Sequence, residues 1–138
     1  MAERPLPIRD ELNRAYWDGA QQGELVILRC RECGTYVHPP RATCSKCRYE
    51  ALEPTPVSGR GTVYSWSVMH STGNPGFEDK IPYAVLVVEL DEQENLITIG
   101  NLVGADPSQL AIGTPLEVAF EKVNDEVTLP QWRPRQPD

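Results

Sequence analysis

Two CxxC pairs between Cys30 and Cys47, one amphipathic stretch before them and five apolar or alternating runs after them make up most of this 138-residue chain. Together they predict a mainly β protein: an N-terminal helix, a small metal-bound ribbon, then a five-stranded barrel of the OB type. The length suits one ordinary domain, or a small module beside a larger one. Thirteen prolines and ten glycines favour short, punctuated elements over long helices. No apolar run approaches the roughly eighteen residues a membrane span needs. The opening "MAERPLPIRDELNR" lacks the apolar core of a secretory leader. The sequence therefore reads as cytoplasmic, where disulfides rarely persist.

The stretch "RDELNRAYWDGAQQGEL" predicts a helix of about three turns, with Asp10 as N-cap and Gly23 as stop. Leu12, Ala15, Tyr16 and Ala20 recur at helical spacing, and Trp17 lies beside that stripe. Such a face is wider than a short surface helix needs. Tyr16 and Trp17 either pack on the protein's own body or anchor a partner. "ELVILRC" reads as a strand running into the first CxxC, and "TYVHPP" as its return. Segment 51–58, "ALEPTPVS", has two prolines and no period, which predicts a module boundary.

Beyond it the pattern is all β. "GRGTVYSWSVMH" alternates, setting Val63, Ser65, Ser67 and Met69 on one face and Tyr64, Trp66 and Val68 on the other. "PYAVLVVEL" is nearly continuous in apolar residues, and "NLITIGNLV", "PLEVAFEKV" and "EVTLPQW" complete the set. In "ADPSQLAIG", Asp106 is placed to cap, Pro107 to open and Gly113 to stop a single helical turn ahead of the fourth barrel strand.

Each CxxC can set two thiolates on one tight turn, and two such knuckles face to face make a tetrahedral four-sulfur site. Zinc suits this donor set because it accepts four thiolates and has no redox chemistry. The ligands are then Cys30, Cys33, Cys44 and Cys47, in a structural centre with no open position for substrate. Iron in a rubredoxin-like site and a redox dithiol are the alternatives; for the latter, the βαβ context is missing. Gly34 follows the first pair, where a knuckle often needs positive φ, whereas Arg48 follows the second and predicts a poorer turn.

A net charge of −7 disfavours nucleic acid as a partner, since phosphate neutralisation supplies most of that affinity. The balance reverses locally, with Arg29, Arg31, Arg41, Lys46 and Arg48 opposed only by Glu32. A nucleic-acid-binding ribbon and OB module is the alternative reading, with Tyr64 and Trp66 as stacking platforms. No dinucleotide fingerprint, Walker loop or HExxH motif occurs.

Taken in order, "AYWDG", "GELVILRCRECGTYVHPPRATCSKC", "GRGTVYSWSVMH", "IPYAVLVVEL" and "AIGTPLEVAF" resemble a family of zinc-ribbon/OB-fold proteins long catalogued as a domain of unknown function. The resemblance covers roughly residues 10 to 134. It implies a helical segment over 1–23, a rubredoxin-like zinc ribbon over 24–53 and an OB-fold domain over 54–138. It also implies a role: a non-catalytic accessory subunit of thiolase-superfamily enzymes, whether thiolases, acyltransferases or aldolases that cleave side-chain CoA esters in lipid or steroid metabolism. The expected assembly is a heterotetramer with the partner supplied in trans and acyl-CoA at or near the interface. The family's second knuckle often has proline and glycine, where this chain reads "CSKCRYE".

Against that background, Arg41 and Arg60 are the side chains best placed to meet CoA phosphates, through paired charge-assisted hydrogen bonds. Tyr16 and Trp17, and Asn74, Pro75 and Phe77 of the loop "TGNPGFEDK", are the expected partner contacts, with Phe77 as anchor. His70 and Ser71 are neighbours on one extended segment and point oppositely, so they make no nucleophile–base pair.

Overall fold

A computed structural model describes residues 6–70 and 81–136. Helix α1 (Arg14–Gln21) is followed by β1 (Leu25–Cys30), β2 (Tyr36–Val37) and β3 (Leu52–Val57), which form one antiparallel sheet in the order β2-β1-β3. A second antiparallel sheet holds β4 (Arg60–Met69), β5 (Tyr83–Leu90), β6 (Ile97–Asn101), β7 (Pro115–Lys122) and β8 (Thr128–Pro134), ordered β6-β5-β4-β7-β8. Its outer strands meet at a parallel bridge between Leu102 and Trp132, where Val103 N–H donates to the Trp132 carbonyl at 2.8 Å. That contact nearly closes the sheet into the predicted five-stranded barrel. Pro107–Gln109 form the single helical turn ahead of β7, and Asp106 caps it by accepting the Ser108 N–H at 2.8 Å. Among the described residues no helix is long and apolar enough to cross a membrane.

The helix is shorter than its sequence suggests. Asp10 Oδ1 accepts from the N–H groups of Leu12 and Asn13, both at 2.8 Å, so it caps a preceding turn rather than α1. Asn13 stands at the helix N-cap and turns its own side chain back to the Asp10 N–H. The stop lies where predicted, at Gly23 with φ +78°.

β5 supplies the barrel floor, with Ala84, Leu86, Val88 and Leu90 all buried at alternate positions. Val63, Leu96, Leu110, Leu116 and Trp132 join them, as do Leu25 and Ile27 from β1. The ribbon's first strand is thus rooted in the barrel core. Its far end is a separate small cluster of Cys30, Val37 and Cys44, with Cys47, Ala51 and Leu52 around it.

Two expectations are corrected here. One is a missing strand, and the expected module boundary is left untouched: segment 51–58, read as having no period, contains the strand β3, which pairs with β1 from Leu25↔Val57 to Cys30↔Leu52. Its prolines conceal it: Pro54 opposes Leu28 and Pro56 opposes Val26 along the outer edge of the sheet, where a missing N–H costs no ladder bond. The alternation of β4 is also interrupted. Val63 pairs with Val88 and Ser65 with Val87, so Tyr64 is an extra residue in a bulge. Beyond it the inward face switches: Val63 is buried, while Trp66 and Val68 pack on the same core. Tyr64 is left exposed, so the two aromatics do not share a stacking face.

One of the side chains that bridge ribbon and barrel behaves as a piece of strand. Gln93, in the β5–β6 turn, accepts the Tyr36 N–H at 2.9 Å and donates to the Tyr36 carbonyl at 3.0 Å. Close by, Glu92 accepts the Ser58 N–H at 2.8 Å.

Candidate functional site

β1 ends on Cys30, and the chain turns back at once because the Gly34 N–H donates to the Cys30 carbonyl at 2.9 Å. The second knuckle repeats this with Arg48 N–H to the Cys44 carbonyl at 3.0 Å. Gly34 has φ +77° and Arg48 φ +68°, so the second turn has the same shape as the first despite its side chain. The second knuckle thus keeps the shape of the first, and the less favourable turn expected there shows as strain at Arg48 and not as a different geometry. Arginine is held in the left-handed region at a cost of about 1–2 kcal/mol, part of which glycine returns as unfolded-chain entropy. Arg48→Gly should raise stability by up to about 1 kcal/mol without loss of metal, read from chemical denaturation and metal content.

The two knuckles bring the four Sγ atoms within 4.8 Å of one another, with Cys30–Cys47 and Cys33–Cys44 at 3.5 Å. A tetrahedron with Zn–S bonds of about 2.3 Å has edges of about 3.8 Å, so the arrangement fits the ion with little movement. The thiols are tuned unequally. Thr35, through its side chain and its backbone, lowers Cys33 to about 6. The Tyr49 backbone also lowers Cys47, but desolvation and the neighbouring sulfurs outweigh it and push Cys47 up to about 12. Four thiols this close do not all ionise unaided, whereas a divalent ion at their centre favours four thiolates.

Tyr16 is turned inward, packed on the barrel core with Thr98 as its hydroxyl's partner, and burial raises its pKa. Trp17 is half-buried and meets the Tyr16 ring edge-to-face at 4.8 Å. Both line a cavity of ≈ 460 Å³ together with His38, Pro39, Ile97 and Ile99. Arg41 is exposed and lines an adjoining cavity of ≈ 280 Å³ with Ser45 and Asn95. Arg60 is exposed at the start of β4 and is not among the residues lining it, so the two arginines are not brought together. His70 is exposed at the end of β4. Asn74, Pro75 and Phe77, like Ser71, lie outside the described residues.

His38 carries no signal in the sequence beyond its type, yet with Pro39 it lines both cavities. Its ring lies 5.1 Å from Tyr16, its Nδ1 is buried without a partner among the described residues, and desolvation lowers its pKa to about 4. A folded-state value below the ordinary 6.5 means that the unfolded chain takes up this proton first. The resulting stability is complete above about pH 6.5 and is lost as pH falls towards 4. Between pH 7 and pH 5 the wild type should lose about 2 kcal/mol more than His38→Gln, measured by urea denaturation of both proteins. Equal losses would show that the imidazole is not desolvated.

Residues 17–53 match the family described as "ChsH2, rubredoxin-like zinc ribbon domain", and residues 54–121 match "ChsH2, C-terminal OB-fold domain". The chain is 39% identical over 136 residues to a "Probable enoyl-CoA hydratase alpha subunit" of Thermomonospora curvata, covering 99% of this chain but 41% of that protein. It is 31% identical over 121 residues to a "DUF35 domain-containing scaffold protein" of Methanocaldococcus jannaschii, covering 86% of this chain and 84% of the other. The solved structure titled "Ltp2-ChsH2(DUF35) aldolase" superposes with a TM-score of 0.83 at 37% identity, over 93% of this chain and 98% of the matched chain. Ribbon, barrel and these relatives agree, and the chain belongs to the ChsH2-type DUF35 family of zinc-ribbon/OB-fold proteins.

Proposed function

We propose that this protein is a non-catalytic accessory subunit of a thiolase-fold acyl-CoA enzyme, holding its catalytic partner and completing the wall of the partner's acyl-CoA site. The observation that carries this is the match over nearly the whole chain to the aldolase complex component and to the hydratase alpha subunit. Both are named as parts of multi-subunit enzymes. The scaffold protein that it matches along most of both chains points the same way. The thiolase fold of the partner rests on the resemblance read from the sequence, as does a heterotetramer built on a dimeric partner.

The chemistry on the page agrees with this division of labour. A four-thiolate zinc centre has no open coordination position, so the ion would hold the ribbon's shape rather than activate a water. Cys30, Cys33, Cys44 and Cys47 would be its ligands. The nucleophile, base and oxyanion donors would come from the partner. This chain would supply orientation and water exclusion, effects that change rates strongly because small misplacements are costly. Thiols committed to a metal also suit a reducing cytoplasm.

The test is to tag the chain, recover it from its native host and identify what accompanies it by mass spectrometry. A thiolase-fold protein in constant ratio supports the accessory role, and that protein's own residues then define the reaction. Recovery with nucleic acid, or with no protein partner, would overturn it.

A further inference from the structure

The four sulfurs of the ribbon are not equally shielded. Cys30 and Cys44 are each 1% exposed and Cys47 is half-buried, whereas Cys33 is exposed. Cys30 ends β1 and packs with Val37 and Cys44 in the small cluster at the ribbon tip, with Cys47 against it. Cys33 stands outside that cluster, on the turn that the Gly34 N–H closes, and its polar neighbour besides the other sulfurs is the Thr35 hydroxyl at 3.2 Å. A reagent in solution therefore meets Cys33 before it meets any other ligand of the centre.

The sulfur–sulfur contacts have a direction as well. The two at hydrogen-bond range, Cys33–Cys44 and Cys30–Cys47, both at 3.5 Å, run from one knuckle to the other. No such contact runs within a CxxC pair. The one open thiol thus has a buried thiol of the opposite knuckle directly behind it.

We propose that Cys33 is a modification site for peroxides, at which oxidation converts the zinc-loaded ribbon into a zinc-free form bridged between Cys33 and Cys44. Zinc has no redox chemistry, so both electrons come from sulfur. The Cys33 thiolate attacks one peroxide oxygen, the O–O bond breaks and hydroxide leaves, which makes Cys33 a sulfenic acid. The Cys44 thiolate then attacks the Cys33 sulfur, the S–O bond breaks and a second hydroxide leaves. Two thiolates have become one disulfide, and one hydrogen peroxide has become two hydroxides that solvent protonates. Only Cys30 and Cys47 remain as thiolates, too few for a four-sulfur centre, so the ion is lost. An external thiol reverses the bridge by exchange. The usual product of an oxidised CxxC motif is a bridge within the motif, and the geometry here selects the other pairing. The inference concerns residues of this chain alone and does not rest on the accessory role.

Full-length, zinc-loaded protein is treated with about half an equivalent of hydrogen peroxide, with and without dimedone to trap sulfenic acid, then quenched in acid, alkylated and digested. Trypsin cuts after Arg29, Arg31, Arg41, Lys46 and Arg48, so each cysteine lies on a peptide of its own and every pairing is read by mass spectrometry. Released zinc is followed with a chromogenic chelator. Dimedone should mark Cys33. Without it, the Cys33–Cys44 bridge should outnumber every other pairing by at least about tenfold, with about one zinc released per peroxide consumed. A thiol reductant followed by zinc should restore four free thiols and the bound ion. The proposal is overturned if dimedone marks another cysteine first, or if the bridges form within the CxxC pairs. It is overturned as well if zinc stays bound, or if Cys33 passes on to sulfinic acid without bridging.

Discussion

Taking away the metal, by chelation or by Cys44→Ser, should melt residues 30–51 and leave the barrel folded. The reason is the division of the apolar interior into two clusters. The ribbon tip buries only Cys30, Val37 and Cys44 fully, and β2 is two residues long. So small a core does not offset the chain entropy of ordering the knuckles and the segment between them. Structural zinc in comparably small modules supplies on the order of 10 kcal/mol or more. The base of the ribbon is different, because Leu25 and Ile27 sit in the barrel core and stay there without metal. Hydrogen exchange should therefore lose protection at the Cys30 and Gly34 amides while the β4–β5 ladder keeps its own. An apo-protein that keeps the knuckles protected would show that the ion is dispensable, and loss of the barrel too would show that the clusters are one cooperative unit. The complex with a partner should weaken in proportion to the disorder, since no step of the chemistry is assigned to the ion.

Trp132→Ala should cost about 3–5 kcal/mol, the largest single loss expected of any core residue here. Trp132 is 1% exposed, and its backbone carries both the bridge to Leu102 and the acceptor for Val103. Its indole fills the space left by Gly100, where even a Cβ would stand 2.8 Å from Trp132 Cδ1. Truncation thus empties the core where β6 and β8 approach, the one join in the barrel not held by a regular ladder. Urea denaturation should show the loss as a lower midpoint, and a loss below about 1 kcal/mol would mean that the join is held elsewhere.

Much of this architecture was legible from residue order alone, because the signals were local. CxxC spacing, an Asp-Pro helix start and apolar alternation each act within a few residues, and the clustering of the four cysteines, the single helical turn and the barrel strands followed from them. What escaped was set by distant partners. The β4 bulge at Tyr64 depends on how Val63 and Ser65 are matched to β5, and the alternating letters of the strand do not encode that match. β3 was hidden because prolines on an outer edge erase the strand's signature without breaking the ladder. Tyr16 and Trp17 are neighbours in the sequence that line the same cavity, but Tyr16 also packs on the barrel core and bonds Thr98, whereas Trp17 does not join that core. Gln93 sits in the polar run "DEQEN", which has no local signal for a contact, and its pairing with Tyr36 spans 57 residues of chain. Arg48 was judged by its side chain, whereas the two backbone bonds to the CxxC carbonyls decide the shape of both turns.

The prolines of β3 carry one more consequence. Pro54 and Pro56 leave the outer edge of the ribbon sheet able to accept hydrogen bonds but, at those positions, unable to donate them. Sheet-to-sheet growth needs both kinds of group in register, so this edge is a poor template for another copy of itself. Under the proposed accessory role, the chain has its greatest exposure to self-association before it meets its partner, when synthesis runs ahead of assembly. A ribbon sheet whose outer edge is so poor a template favours a free chain that stays dispersed, so that under the proposed role its synthesis need not be matched to the partner's, molecule for molecule, in time.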